Sequence, residues 1–200
     1  MDLQGQAAYG MNYPRNFRRA VLGIPQDYKE AVKWYRLAAD QGYASAQFLL
    51  GTMYFNGQGV PQDYKEAVKW YRLAAEQGDS SAQFNLGFMY NNGQGVTQNY
   101  QEAAKLFRRA ADQGDAKAQN FLGVMYQHGV GVVLNSIIAY AMYNTSATND
   151  TTINSAINSR SKLSKSMTEN EIAIAQDLTR QLLIPGKFLT NLDKFTYSKH

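Results

Sequence analysis

The chain of 200 residues carries a formal net charge of +4 and is 44% hydrophobic, which is typical of a folded domain and argues against a disordered chain. It contains no cysteine, so disulfides and thiolate metal sites are excluded, and the chain is compatible with a reducing compartment. This mildly basic charge permits an acidic partner without requiring nucleic acid.

The opening segment, MDLQGQAAYGMNYPRN, lacks the apolar core of a signal peptide. No run in the sequence approaches the roughly 18 apolar residues of a membrane helix. We therefore expect no membrane insertion and, for the sequence as given, a cytoplasmic location. A chain that had lost its leader would look the same, so a periplasmic or secreted location stays open.

Residues 1–26 resemble only part of the repeat that follows them, and we interpret them as a degenerate partial repeat. LQGQAAYGMNY matches the second half of the repeat unit, but RNFRRAVLG stands where a Gly-x-Gly turn is expected. Gly10 and Gly23 are 13 residues apart, whereas Gly51 and Gly59 are 8 apart. We expect poor order before Ile24.

Three consecutive blocks of 36 residues, 27–62, 63–98 and 99–134, repeat one sequence. The first two blocks agree at 29 of 36 positions, and Gly51, Gly87 and Gly123 mark the period. A fixed period of this length is the signature of a repeat array, in which each unit packs against its neighbours.

Each block predicts two helices. In the second block, Asp63 is a suitable N-cap for the run YKEAVKWYRLAAE, and Gly78 follows where a left-handed C-cap residue is needed. The run SSAQFNLGFMYNN predicts the second helix. Residues spaced by three and four form the apolar faces of the two helices: Ala67, Trp70, Tyr71, Ala74 and Ala75 on the first, and Ala82, Leu86, Met89 and Tyr90 on the second. A hairpin this small cannot bury its own apolar stripe, so we expect the units to stack.

Glycine pairs follow each second helix and resemble a phosphate-binding loop. Gly57-Gln58-Gly59 recurs as Gly93-Gln94-Gly95 and Gly129-Val130-Gly131. A phosphate-binding loop follows a β-strand and occurs once per site, whereas these pairs follow helices and keep the repeat period. We therefore expect positive φ angles at the turns between hairpins, and no cofactor.

Residues 135–184 predict a half repeat and C-terminal cap helices. Asn135–Ala147 aligns with the first helix of the unit, Thr168 and Glu171 form a capping box, and Pro185-Gly186 ends the last predicted helix. Residues 185–200 then form a tail, and we expect GKFLTNLDKFTYSKH to be loosely ordered.

No catalytic or metal-binding set emerges from the sequence. His128 and His200 are the only histidines, and His128 takes a turn position of the repeat, so we interpret it as a turn residue. No Ser-His-Asp or Cys-His set can be assembled. Capping and solvation explain the acidic residues at repeat-fixed positions, which are Asp27, Glu30, Asp63, Glu66 and Glu102. We expect no enzymatic activity.

A basic ladder is the first candidate binding surface. Three positions spaced i, i+4 and i+7 recur on successive first helices, and the basic residues at these positions are Lys29, Lys33, Arg36, Lys65, Lys69, Arg72, Lys105 and Arg108, with Gln101 replacing the first lysine of the third block. The ladder either binds an acidic partner or is a solvated face balanced by Glu30, Glu66 and Glu102. We favour the solvated face.

A variable face of the second helices is the other candidate. Positions on this face differ between repeats while the core positions stay fixed: Phe48, Phe84 and Asn120; Thr52, Phe88 and Val124; and Phe55, Asn91 and Gln127. Such a face either recognises a peptide or protein, or packs between repeats in a way that tolerates substitution. Both interpretations stay open.

The recurring residues resemble the Sel-one-like repeat (SLR), which is related to the tetratricopeptide repeat. The matching positions within residues 27–147 are Ala82, Leu86-Gly87, Tyr90, Gly93-x-Gly95-Val96, Asn99, Ala103, Ala110-Ala111 and Gly114, and the same positions match one block earlier. The resemblance implies an all-α, right-handed solenoid of antiparallel helix pairs that acts as an adaptor or scaffold. Members often work in bacterial envelope or host-interaction settings and in eukaryotic protein quality control.

The leading hypothesis is therefore a non-catalytic module that binds a protein partner of unknown identity; the sequence does not specify its oligomeric state. The alternative, binding or hydrolysis of β-lactams, comes from a cysteine-rich branch of the family, and this chain has no cysteine. A third option, nucleic-acid binding, rests on the basic charge alone, since the ladder lacks the interleaved aromatic residues of a single-strand platform. We expect neither.

Overall fold

The computed structural model describes residues 28–197, and within them it contains ten α-helices, one short 3-10 helix and no strand. The helices are α1 (Tyr28–Asp40), α2 (Ala44–Asn56), α3 (Tyr64–Glu76), α4 (Ser80–Asn92), α5 (Tyr100–Asp112), α6 (Ala116–His128), α7 (Ser136–Asn149), α8 (Asn154–Leu163), α9 (Glu169–Leu182) and α10 (Phe188–Tyr197), and the 3-10 helix is Ser164–Ser166. The degenerate repeat and the poor order expected before Ile24 lie outside the described residues.

The helices of the second block have the predicted bounds. The Asp63 carboxylate accepts hydrogen bonds from the backbone N–H groups of Lys65 (2.9 Å) and Glu66 (3.1 Å), which otherwise have no partner in the first turn of α3. Gly78 has a φ of +95° just after the helix. Asp63 therefore caps the start of α3, and Gly78 follows its end, as predicted.

The glycine pairs are backbone joints between hairpins. Gly57 ends α2 with a φ of +70°, and its N–H donates to the Met53 carbonyl. Gly59 has a φ of +72°, and a side chain there would collide with the backbone carbonyl of Tyr28. Positive φ recurs at Gly93, Gly95, Gly129 and Gly131. The predicted role of these glycines is confirmed.

Successive hairpins stack so that each second helix packs on its own first helix and on the first helix of the next hairpin. All five residues predicted on the apolar face of α3 are buried. Gly87 allows α4 to approach α5 closely, because a Cβ there would lie 2.9 Å from Cε1 of Phe107. Gly51 faces Tyr71, and Gly123 faces Tyr143, in the same way.

A ladder of buried amides crosses the stack at each repeat. The Nε2 atoms of Gln47, Gln83 and Gln119 each donate to a carbonyl of the preceding first helix, at 3.2 Å in all three cases. Their Oε1 atoms accept from an amide of the following hairpin, at 2.7 Å from Gln77, 2.9 Å from Gln113 and 3.0 Å from Asn149. Each glutamine therefore links two hairpins through satisfied polar contacts.

The C-terminal part closes the stack. Helices α7 and α8 form a further hairpin, and α9 packs on α7. Thr168 and Glu171 make the predicted capping box at the start of α9. No helix in the described range combines the length and the apolar character that a membrane crossing requires.

The expectation that residues 186–200 are loosely ordered is wrong for α10. This helix begins directly after Pro185-Gly186 and Lys187, and it packs on α9 and α5. Phe188 is 3% exposed and Leu192 is fully buried. Apolar residues spaced by four on one helical face provide the burial that orders this segment, so the Pro-Gly pair ends α9 without ending the fold.

Candidate functional site

The variable face lies along α2, α4 and α6. Eight of its nine positions are half-buried, and Val124 is 41% exposed. The half-buried residues are Phe48, Thr52, Phe55, Phe84, Phe88, Asn91, Asn120 and Gln127. These side chains therefore lie partly in the interfaces between successive hairpins, here called seams, and partly on the surface of the stack.

Aromatic side chains of this face pack across the seams between hairpins. The ring centroid of Phe84 lies 5.7 Å from that of Phe107 and 5.5 Å from that of Phe121. The Phe88 ring lies 6.0 Å from Phe121, and the Phe48 ring 5.9 Å from Tyr71. These contacts support the packing interpretation, and partner binding by the same residues stays a prediction.

Polar residues of the variable face form hydrogen bonds across the same seams. The Tyr71 hydroxyl donates to Oγ1 of Thr52 at 3.1 Å, and the Tyr143 hydroxyl donates to Oε1 of Gln127 at 2.6 Å. Burial raises the pKa of Tyr143 to about 12, so its phenol stays neutral and able to donate near neutral pH. Thr52 and Gln127 thus act as acceptors for the large side chain of the next first helix.

A cavity of about 190 Å³ opens on the variable face between the first two described hairpins. It is lined by Thr52, Phe55, Asn56, Tyr71, Asn85 and Phe88. Sites for drug-sized ligands have volumes of about 300 Å³ or more. This cavity is large enough for one side chain and too small for most whole ligands.

The lysines of the basic ladder are consistent with a solvated face. Lys69 Nζ lies 3.5 Å from the Glu66 carboxylate, and Lys105 Nζ lies 3.1 Å from that of Glu102. Exposed pairs of this kind contribute at most about 1 kcal/mol each. Lys29 and Lys33 on α1 and Lys65 on α3 are also exposed.

The arginines of the ladder behave differently, because each donates to a tyrosine on the second helix of its own hairpin. Arg36 bonds the Tyr54 hydroxyl, Arg72 Nη2 bonds that of Tyr90 at 3.1 Å, and Arg108 Nη1 bonds that of Tyr126 at 3.2 Å. Tyr90 was predicted on the apolar face of its helix, but it is half-buried and its hydroxyl faces Arg72; no pairing of these arginines with tyrosines was predicted. Their spacing of 18 residues in every repeat was the available signal.

Arg108 also forms an ion pair with Asp193 of α10. Burial opposes the charge of this guanidinium, but Tyr126 and Asp193 outweigh the burial and raise the pKa of Arg108. Arg108 is therefore charged at any physiological pH. No pattern in the sequence links Arg108 to Asp193, and residues 185–200 were predicted to be a tail.

Metal-binding clusters do not form in the part of the chain that the structure describes. His128 ends α6 and is exposed. Between residues 28 and 197, no three His, Cys, Asp or Glu side chains come together as metal ligands would.

The family model of the Sel1 repeat matches the chain in four consecutive units, at residues 5–43, 44–79, 80–115 and 116–150. The last three units begin at or beside the start of a second helix, so they differ in phase from our blocks 27–62, 63–98 and 99–134. Our division of the chain stays a prediction. No curated protein matches the chain.

Two solved structures share this architecture. A protective antigen present in uropathogenic Escherichia coli strains, which displays an SLR fold, is 27% identical with a TM-score of 0.61; the match covers 90% of this chain and 46% of the antigen. A Sel1 repeat protein from Oxalobacter formigenes is 36% identical with a TM-score of 0.58, over 64% of this chain and 95% of that protein. Because the four units cover residues 5–150 and both structures share its α-solenoid fold, the chain belongs to the Sel1 repeat family.

Proposed function

We propose that this chain is a non-catalytic scaffold that binds a protein partner through the surface of its solenoid. Sel1 repeat proteins are generally protein-interaction scaffolds. The partner is unidentified, and the chain spans 46% of the antigen that it resembles, so the proposal concerns the repeat array alone.

The cavity on the variable face is the observation that carries this proposal. Phe55 on α2 and Phe88 on α4 come from consecutive hairpins, and both line it. The seams hold these helices in one relative position, so the cavity is formed before a partner arrives. A preformed cavity for one side chain, bordered by aromatic rings, resembles the pockets that anchor residues fill in protein interfaces.

The proposal predicts a partner peptide whose binding depends on the cavity. We expect peptides selected from a phage-displayed library on the wild-type protein to bind the Phe55→Ala, Phe88→Ala double variant about tenfold more weakly, as for loss of an interface anchor. Isothermal titration calorimetry with the purified proteins measures this difference. The matched control is Val133→Ala, because Val133 is 85% exposed and lies outside both the cavity and the basic ladder.

Two further measurements separate lost binding from lost folding. The Phe55 ring contacts Tyr64 at 5.3 Å, so the thermal midpoint of every variant is compared with that of the wild type. Phe55→Leu retains most of the packing volume and is expected to restore the midpoint while leaving affinity reduced. If no peptide binds, or if all selected peptides bind the double variant as tightly as the wild type, the proposal fails.

A further inference from the structure

The three arginine–tyrosine pairs repeat one geometry but differ in what covers them. In the third pair, the Arg108 side chain is only 22% exposed because α10 lies over it. In the first two pairs, Arg36 and Arg72 are exposed. Among the described residues, neither of these two arginines forms an ion pair with a carboxylate, whereas Arg108 does.

Arg108 shows how such a pair holds a helix that carries a carboxylate, Asp193. One guanidinium nitrogen, Nη1, donates to the Tyr126 hydroxyl, and the other, Nη2, donates to the Asp193 carboxylate. A guanidinium has donors enough for both contacts, and the tyrosine fixes its orientation before the carboxylate arrives. The pair is therefore a preoriented carboxylate receptor.

The other contacts of α10 show which chemical features a helix bound to such a pair would have. Phe188 and Leu192 provide the buried face, and Asp193 follows next to it. The backbone N–H of Leu189 donates to Oδ1 of Asp112 on α5 at 3.2 Å. A short amphipathic helix with a carboxylate beside its apolar stripe is thus already seated against α9 and against α5, the first helix of the third hairpin.

The first two hairpins present the same receptor without that helix. Arg72 uses Nη2 for Tyr90, which leaves Nη1 for a carboxylate, and Arg36 likewise uses Nη2 for Tyr54. The neighbouring lysine on α3, Lys69, is already balanced by Glu66. Charge complementarity with one carboxylate, and the likeness to the contact between Arg108 and Asp193, therefore point to a carboxylate-bearing helix as the occupant of these two pairs.

We propose that the Arg36–Tyr54 and Arg72–Tyr90 pairs bind carboxylates of an amphipathic helix from a protein partner, in the manner in which Arg108–Tyr126 binds Asp193 of α10. This inference rests on the proposed scaffold function but assigns a surface separate from the cavity at Phe55 and Phe88. The two surfaces lie on different side chains, so each is tested without altering the other.

The probe is a fluorescein-labelled, hydrocarbon-stapled peptide with the sequence of residues 187–197, titrated with the full-length chain and followed by fluorescence anisotropy. The staple is needed because a helix this short is marginal in water. We expect saturable binding by the wild type and about tenfold weaker binding by the Arg36→Gln, Arg72→Gln double variant, since hydrogen bonds to charged groups are the strong ones. Replacing Asp193 by Asn in the peptide is expected to weaken binding similarly.

Matched variants separate this receptor from general charge. Lys69→Gln removes one positive charge from the same helix as Arg72 and is expected to leave affinity unchanged. Tyr90→Phe leaves the charge in place but removes the orienting hydroxyl, and is expected to weaken binding about threefold. Circular dichroism and thermal midpoints confirm that each variant is folded.

Any one of the following outcomes would overturn the inference. The first is that the wild type shows no saturable binding. The second is that Lys69→Gln weakens binding as much as Arg72→Gln does. The third is that Arg108→Gln alone abolishes binding, which would mean that the peptide binds only by replacing α10 at Arg108. If the arginine variants bind normally while Phe55→Ala, Phe88→Ala loses its selected peptides, the scaffold function stands and this inference fails. If both surfaces bind nothing, both proposals fail.

Discussion

At the scale of the residue, glycines inside the second helices set how closely the hairpins approach. Gly51, Gly87 and Gly123 each face a large aromatic side chain of the next hairpin. Glycine in a helix interior costs about 1 kcal/mol relative to alanine, so its presence at the same position in three repeats needs a compensating gain. Burial of Tyr71, Phe107 and Tyr143 against the bare backbone supplies that gain.

Gly123→Ala is predicted to destabilise the fold by about 1–3 kcal/mol despite the better helix propensity of alanine, as overpacking does in a close-packed core. A Cβ at this position would lie 2.5 Å from Cε1 of Tyr143, which is fully buried and cannot move aside cheaply. Urea unfolding followed by circular dichroism measures the change. Ser81→Ala, at an exposed position of α4, is the control and is expected to be neutral.

At the scale of the element, no helix is stable alone. The helices of the repeats have 13 residues, close to the length at which isolated helices are marginal in water. Tertiary contacts therefore decide their stability. The ladder of buried amides formed by Gln47, Gln83 and Gln119 adds directional hydrogen bonds to the apolar contacts. Gln83 illustrates this, because it is 1% exposed and bonds both Ala75 and Gln113.

Gln83→Met is predicted to lower the free energy of unfolding by about 1–3 kcal/mol. Methionine keeps the volume and the unbranched shape, but it leaves the Ala75 carbonyl and the Gln113 amide without this partner in the seam. Chemical denaturation measures the loss, and Gln101→Met, at an exposed position of α5, is the matched control. If the two variants are equally stable, water hydrogen-bonds the Ala75 carbonyl and the Gln113 amide without any loss in the free energy of unfolding.

At the scale of the whole molecule, the repeat hairpins stabilise one another mainly through their neighbours, because each packs on the hairpins beside it in the chain. Equivalent positions become better buried along the stack: Tyr35 is 7% exposed, Tyr71 is 1% and Phe107 is fully buried. The third hairpin also carries α10. We expect local opening to be easiest near α1.

Backbone amides of α5 are accordingly predicted to exchange at least about tenfold more slowly than those of α1, in keeping with the range of local opening energies within one protein. Hydrogen exchange followed by mass spectrometry on peptic fragments of the two helices tests this. Uniform protection from α1 to α5 would instead indicate that the array opens as one cooperative unit.

Much of the fold was predictable from the sequence because local rules and the repeat agree. The cap at Asp63, the turn glycines and the apolar face of α3 each follow from short-range spacing, and the 36-residue period states them three times. The candidate site was less predictable. The cavity between Phe55 and Phe88 depends on how α2 and α4 are placed relative to each other, which spacing along one helix does not specify.

The sequence by itself determined the helices, their joints and the stacking of like units, since backbone conformation and amphipathic periodicity are properties of neighbouring residues. Only the tertiary structure decided where α10 lies. Its apolar stripe could be read from Phe188 and Leu192, but its position over α5 arises from contacts such as that of Asp193 with Arg108, 85 residues away in the chain. Contacts between residues this far apart depend on how the helices are arranged in space, which no local pattern in the sequence specifies.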